Sequence, residues 1–145
     1  VADNQRVDAP SGRVLAYDAR NGKFLWEFDP LPRDPNDPAA KTWEKGTAEG
    51  FGSGNVWANM AVDQKLDLVY LPTTSPSGDF YGAGRAGDNR YSSSIVALHG
   101  KTGKVAWQTT DVTENAQYSS VIPITQGGER EYVQLLMNSI FGVAA

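Results

Sequence analysis

One stretch of the chain occurs twice, and this repeat constrains the fold more than any other feature. The copies are residues 14–26 (VLAYDARNGKFLW) and residues 95–107 (IVALHGKTGKVAW). Each copy joins two short apolar runs through a polar turn that ends in Gly-Lys, and each closes on a tryptophan, Trp26 or Trp107. The pattern predicts a β-hairpin, because glycine readily adopts the positive φ that short hairpin loops often need.

A tryptophan at the same place in each copy favours the blades of a β-propeller, in which each blade is a four-stranded antiparallel sheet. The alternative is a β-sandwich that happens to contain two similar hairpins. It is disfavoured because the alternation, the turn and the tryptophan all recur in register. We therefore predict an all-β chain with about two blades' worth of sheet, a partial propeller, since closed propellers typically have four to eight blades.

We predict that residues 1–145 form a single partial domain. Its predicted parts are the second half of a blade (1–28), an insertion (29–54), a full blade (55–110) with its own insertion (72–92), and the front of the next blade (115–145). The first insertion is rich in proline, which lacks the amide donor of a central strand. Open blade edges at both ends of such a unit predict self-association.

Composition excludes some classes of function. The net charge is −4 and the sequence has no basic patch, so we do not expect a nucleic-acid partner. The sequence contains no cysteine, which excludes disulfides and thiolate metal sites. No apolar run is long enough to span a bilayer.

Two places in the sequence are candidate binding sites. Trp57 follows a glycine-rich stretch (50–54) that would leave room for a flat ligand against the indole; the alternative is a core tryptophan. Asp3 and Asn4 are adjacent oxygen donors of the kind that suits Ca²⁺, and the alternative is a solvated turn.

The second insertion, residues 72–92, carries hydroxyls, carboxylates and the adjacent aromatic residues Phe80 and Tyr81. Together with Trp57, these rings are also compatible with a sugar-binding module that has no redox chemistry. The Gly-Ala-Gly-Arg-Ala-Gly run in this insertion is not a phosphate loop, because it follows no strand-to-helix transition and has no Lys-Ser/Thr after it.

Several stretches resemble the pyrroloquinoline-quinone (PQQ) dependent dehydrogenases, in particular the membrane-bound quinoprotein glucose and polyol dehydrogenases. The matching motifs lie in residues 3–35, 68–82 and 87–91, within a resemblance that covers about residues 1–109. That family folds as a closed β-propeller with PQQ on the central axis beside a Ca²⁺ ion. The resemblance implies a periplasmic enzyme, associated with the inner membrane in its full-length form, that oxidises a sugar or polyol and passes electrons to a membrane quinone.

The resemblance also implies roles for individual residues. Trp57 matches the indole on which the PQQ ring system stacks. Asp3 and Asn4 match the loop that supplies Ca²⁺ ligands, and Ser77 matches a further oxygen ligand on the Ca²⁺ side. In such a site Ca²⁺ acts as a Lewis acid on the quinone carbonyl.

The sequence departs from this family after Trp107. The family continues into a His-Asp-x-Trp-Asp segment whose last aspartate is the general base, and this chain has no such segment. Asp111 and Glu114 are nearby, but their spacing supports neither as the base, so the catalytic residue is unknown. Residues 115–145 resemble instead the broader class of PQQ-like propeller repeats, which includes members without cofactor.

These observations predict a fragment or shortened relative of a PQQ- and Ca²⁺-dependent sugar or polyol dehydrogenase. Because the base is missing and the propeller is open, we expect little or no turnover from this chain alone. The alternative is a non-catalytic PQQ-like propeller module that acts as a scaffold.

Overall fold

The computed structural model describes residues 10–44, 48, 53–77, 84–112, 114 and 119–144. The predicted Ca²⁺ ligands Asp3 and Asn4 lie outside the described residues, and so do Phe80 and Tyr81. The described part of the chain contains no helix that is long and apolar enough to cross a membrane.

Nine strands and one short 3₁₀ helix (Pro38–Thr42) make up the named elements of the described residues. The strands are β1 (Val14–Tyr17), β2 (Phe24–Phe28), β3 (Ala61–Asp63), β4 (Leu68–Pro72), β5 (Ile95–His99), β6 (Val105–Gln108), β7 (Ile122–Gln126), β8 (Glu129–Leu135) and β9 (Ile140–Ala144). They form three sheets in chain order, β1-β2, β3-β4-β5-β6 and β7-β8-β9. All strand pairs are antiparallel, which confirms the predicted all-β class and is consistent with a partial propeller.

The two copies of the repeat are hairpins of the same geometry. In the first, the Asp18 N–H donates to Lys23 O over 2.8 Å, and in the second the His99 N–H donates to Lys104 O over 2.8 Å. The turn glycines have φ of 72° and 68°. His99 occupies in the second copy the position of Asp18 in the first. The backbone of the hairpin is nevertheless the same, because the turn glycine and the main-chain hydrogen bonds define it.

The first sheet packs against the second through Trp26. Its Nε1–H donates to Gly100 O over 2.7 Å, and its ring lies so close to Gly103 that a Cβ there would be 2.6 Å from Trp26 Cδ2. The buried residues Phe28 and Leu98 extend this contact between the sheets. The repeated tryptophan thus joins one sheet to the turn of the next.

The second sheet packs against the third through aromatic rings. Tyr70 on β4 stacks on Tyr132 on β8 with ring centroids 3.6 Å apart, and Trp107 tilts against Tyr70 at 5.8 Å. The hydroxyl of Tyr132 donates to Asp63 Oδ2 over 2.7 Å. A buried apolar core, the Tyr132–Asp63 bond and an ion pair between Arg130 and Asp63 (3.9 Å) therefore join β3 and β8 across the interface.

The predicted full blade (55–110) begins with an irregular segment. β3 begins only at Ala61, and Val56 makes an isolated bridge to Thr73. In the intervening segment Trp57, Asn59 and Met60 are all exposed. These side chains therefore do not show the alternation of buried and exposed positions that is typical of a half-buried strand.

The outer faces of the first and third sheets are apolar and exposed. Leu15 and Tyr17 lie on one, and Ile122 and Ile140 on the other. Self-association through these open blades stays a prediction, as does the division of the chain into partial blades and insertions.

Acid is expected to weaken the interface between the second and third sheets. The hydrogen bond from Tyr132, followed by backbone bonds from Leu66 and Lys65, holds the pKa of Asp63 below its ordinary value of 3.8. A carboxylate with a lowered folded pKa stabilises the fold above its unfolded pKa, and that stability is lost as the pH falls through the folded pKa. Urea unfolding should therefore show a free energy of unfolding that is maintained down to pH 5 and declines below pH 3.8.

The Tyr132→Phe variant provides the control for this prediction. It keeps the stacked ring but loses the bond to Asp63, so its free energy of unfolding should depend less steeply on acidic pH. Glu114 also has a lowered pKa, chiefly through a hydrogen bond from Ser139, and contributes equally to both proteins. Identical pH profiles for the two proteins would contradict a role for the Tyr132–Asp63 bond.

Candidate functional site

A large cleft of about 1150 Å³ lies where β4 ends and β5 begins. One wall is formed by Pro72–Ser75 and Ser92–Ile95, and the third sheet contributes Gln134, Leu136 and Phe141. Because strand ends of two sheets meet here, residues distant in sequence converge on one space. A concave site in which apolar and aromatic side chains meet convergent polar groups is the expected form of a small-molecule site.

Trp57 lines this cleft. It follows Gly54 in the irregular segment before β3 and is 47% exposed, so it is not a core residue. Its neighbour Ala58 has a small side chain and lines the same space. The arrangement leaves an indole available to a ligand, although its contact with a cofactor stays a prediction.

Ser77 does not lie among the residues that line the cleft. It is fully buried, its N–H donates to Ser53 O over 2.6 Å, and its Oγ accepts from the Ser53 N–H over 3.3 Å. Ser53 Oγ is itself buried without a hydrogen-bond partner among the described residues. Other hydroxyl-bearing residues do line the cleft, among them Thr73, Thr74 and Ser75.

A strained loop that the sequence analysis missed forms another part of the wall. Asn89, Tyr91 and Ser93 have φ of 50°, 71° and 47°, a region that residues other than glycine seldom adopt. Such strain persists only where the surroundings hold the backbone firmly. The N–H groups of these three residues donate to Thr42 O, Gln108 Oε1 and Thr74 O, respectively.

The carboxylates that follow Trp107 differ in their surroundings. Glu114 lines the cleft, but the Ser139 hydroxyl and the Asn138 N–H donate to it and lower its pKa, which makes it a poor proton acceptor. Asp111 is exposed, accepts from Thr110 Oγ1 over 3.1 Å and does not line the cleft. Neither is assigned as a catalytic base.

The lining of the cleft offers a stacking surface and charges of both signs. The Trp57 indole is half-exposed, Arg85 and Arg90 supply positive charge, and Asp88 and Glu114 supply negative charge. PQQ, a planar aromatic tricarboxylate, can stack on the indole and pair its carboxylates with the guanidinium groups. For the metal ion, the described residues contain no group of three His, Cys, Asp or Glu side chains that would hold one.

Comparison with known proteins gives a consistent result. Residues 1–115 match the family described as PQQ, glucose/ethanol/alcohol dehydrogenase, β-propeller domain. The chain is 41% identical over 113 residues to quinoprotein glucose dehydrogenase A of Acinetobacter calcoaceticus, covering 76% of this chain and 14% of that protein. It is 44% identical over 108 residues to the glycerol dehydrogenase large subunit of Gluconobacter oxydans, covering 74% of this chain and 14% of that one.

The fold agrees with a solved structure of similar type. The quinohemoprotein alcohol dehydrogenase from Comamonas testosteroni superposes with a TM-score of 0.73 at 27% identity, over 91% of this chain and 23% of that one. The chain thus spans only a small part of the length of the proteins it matches. Because the family match covers most of the chain, the chain belongs to the PQQ-dependent dehydrogenases, within their β-propeller domain.

Proposed function

We propose that the chain forms part of a PQQ-dependent dehydrogenase that oxidises a hydroxyl group of a sugar or polyol, with PQQ stacked on Trp57. The observation that carries this proposal is the position of Trp57, half-exposed on a large cleft rather than packed in the core. The curated relatives include glucose and glycerol dehydrogenases, which supports the substrate class.

In this proposal the chain's own residues bind and orient the cofactor. The Trp57 indole supports the ring system, and the guanidinium groups of Arg85 and Arg90 balance carboxylates. Asp3, Asn4 and Ser77 are the proposed oxygen donors for Ca²⁺, following the family resemblance. When bound, PQQ supplies the electron acceptor for substrate oxidation, while the protein supplies orientation and charge.

The hydroxyl-rich wall has a second task, which is to bind the substrate. Thr73–Ser75 and Ser92–Ser94 line one cleft, and Ser93 is also part of the strained loop. Hydroxyls both donate and accept hydrogen bonds, as the hydroxyl groups of a polyol require. The sequence lacks the His-Asp-x-Trp-Asp segment that carries the family's base, so we propose that this chain positions reactants but does not turn them over alone.

The proposed acceptor of the electrons is a membrane quinone, and the proposed location is the periplasm, at the inner membrane in the full-length protein.

The alternative function is a non-catalytic propeller scaffold. The exposed apolar faces around Leu15, Tyr17, Ile122 and Ile140 favour it, because such faces commonly mark interaction surfaces.

Equilibrium dialysis with PQQ tests the proposal. The folded chain should bind PQQ saturably in the presence of Ca²⁺ and bind it more weakly in EDTA. In a dye-linked assay with glucose or glycerol, the loaded chain should show no turnover above background. Absence of PQQ binding would count against the dehydrogenase proposal and favour the scaffold, and robust turnover would contradict the proposed lack of a base.

A further inference from the structure

Gln134 is a polar residue in an apolar interface. It lies on β8 two residues after Tyr132, so both side chains point towards the second sheet. It is only 5% exposed. Buried amides are ordinarily hydrogen-bonded at both ends, yet among the described residues Gln134 Oε1 has no partner.

The hydrogen bonds of Ser119 fix the orientation of this amide. Gln134 Nε2 donates to Ser119 O over 3.0 Å and to Ser119 Oγ over 2.5 Å. The Ser119 hydroxyl uses its own hydrogen to donate to Leu135 O over 3.1 Å. Rotating the amide would place Oε1 against a carbonyl oxygen, which cannot donate, so Oε1 is the end that needs a donor.

Gln134, the residue that carries this acceptor, lines the same cleft as Trp57, while Oε1 itself is buried. Gln134, Ser119 and Ser120 all line the cleft, and the Asn59 N–H donates to Ser120 Oγ over 3.3 Å, which joins the Trp57 segment to the third sheet. Gln134 follows residue 115, where the family match ends. The third sheet therefore adds a wall to the cleft that the family match does not include.

We propose that Gln134 is a specificity-determining residue whose Oε1 accepts a hydrogen bond from a hydroxyl group of a sugar or polyol bound in the cleft. A neutral amide oxygen selects a neutral donor, and the surrounding serine and threonine hydroxyls suit a ligand with several hydroxyl groups. A buried acceptor that is left without a hydrogen bond costs free energy, so a ligand that lacks the matching donor binds more weakly. The substrate class in this inference rests on the proposed function.

The test measures binding of D-glucose and glycerol to the chain without PQQ, by ligand-observed NMR. The Gln134→Met variant keeps the size of the side chain but removes the acceptor. It should weaken sugar binding about three- to tenfold, as expected for one neutral hydrogen bond. In the matched control Gln126→Met, the same substitution is made at an exposed residue of β7 that does not line the cleft, and binding should change less than about twofold.

A series of monodeoxy glucose analogues identifies the hydroxyl group that donates to Gln134 Oε1. One analogue should bind the wild-type chain about three- to tenfold more weakly than glucose and show no further loss with Gln134→Met. If every analogue binds the wild-type chain as well as glucose does, or if Gln134→Met binds glucose normally, the inference is overturned.

Two outcomes separate this inference from the proposed function. If PQQ binds but neither glucose nor glycerol binds the wild-type chain, the Gln134 assignment fails while the cofactor role of Trp57 stands. If sugar binding depends on Gln134 but PQQ does not bind, the Gln134 site stands and the dehydrogenase proposal fails.

Discussion

Replacing Trp26 with alanine is expected to lower the free energy of unfolding by about 3 kcal/mol, the size typical of a large aromatic truncation in a packed interface. The variant loses both the contact with Gly103 and the Nε1–H bond to Gly100 O. These are the contacts that join the first sheet to the second. Urea unfolding followed by circular dichroism measures the change.

Two glycine variants test whether the contact between Trp26 and Gly103 is the source of this stability. In Gly103→Ala the new Cβ would lie 2.6 Å from the Trp26 ring at a φ of 68°, so both a clash and backbone strain are expected. In the matched control Gly22→Ala, φ is 72° but no atom lies within 4 Å, so only strain is expected. Equal destabilisation by the two variants would contradict the indole contact as the source of stability.

Replacing Trp57 with alanine is expected to weaken PQQ binding by about 30-fold or more, which is the ~2 kcal/mol typical of an aromatic hot spot. The free energy of unfolding should change by less than about 1 kcal/mol, because a half-exposed side chain contributes little to the core. Equilibrium dialysis measures the affinity, and urea unfolding measures the stability.

Met60→Ala is the matched control for Trp57→Ala. Met60 lies on the same irregular segment and is 48% exposed, but it does not line the cleft. It should leave PQQ affinity unchanged. A comparable loss of affinity in both variants would indicate that the segment, rather than the indole, determines binding.

The repeat was enough to predict the hairpins and their turns. Its alternation, glycine and tryptophan are local signals, and each corresponds to a local feature of β1-β2 and β5-β6. The glycine-rich stretch before Trp57 left both a ligand-facing and a core position open, and the structure places Trp57 on the cleft. Family resemblance supplied the cofactor class, which no local pattern could reveal.

The walls of the cleft depend on contacts that are remote in sequence. Asn59 meets Ser120, and Tyr91 is held by Gln108, so neither contact leaves a local pattern. Ser77 was predicted from a motif alone, and the structure buries it against Ser53. Gln134 occupies an ordinary inward position of a strand, and only the missing partner of its Oε1 singles it out.

The most direct test of the central claim is a titration of the chain with PQQ and Ca²⁺, followed by tryptophan fluorescence. The chain has four tryptophans, so the wild type is compared with Trp57→Phe. We expect saturable quenching in the wild type, much of it lost in Trp57→Phe and in EDTA. Unchanged quenching in Trp57→Phe, or none at all in a folded wild-type sample, would contradict a PQQ site at Trp57.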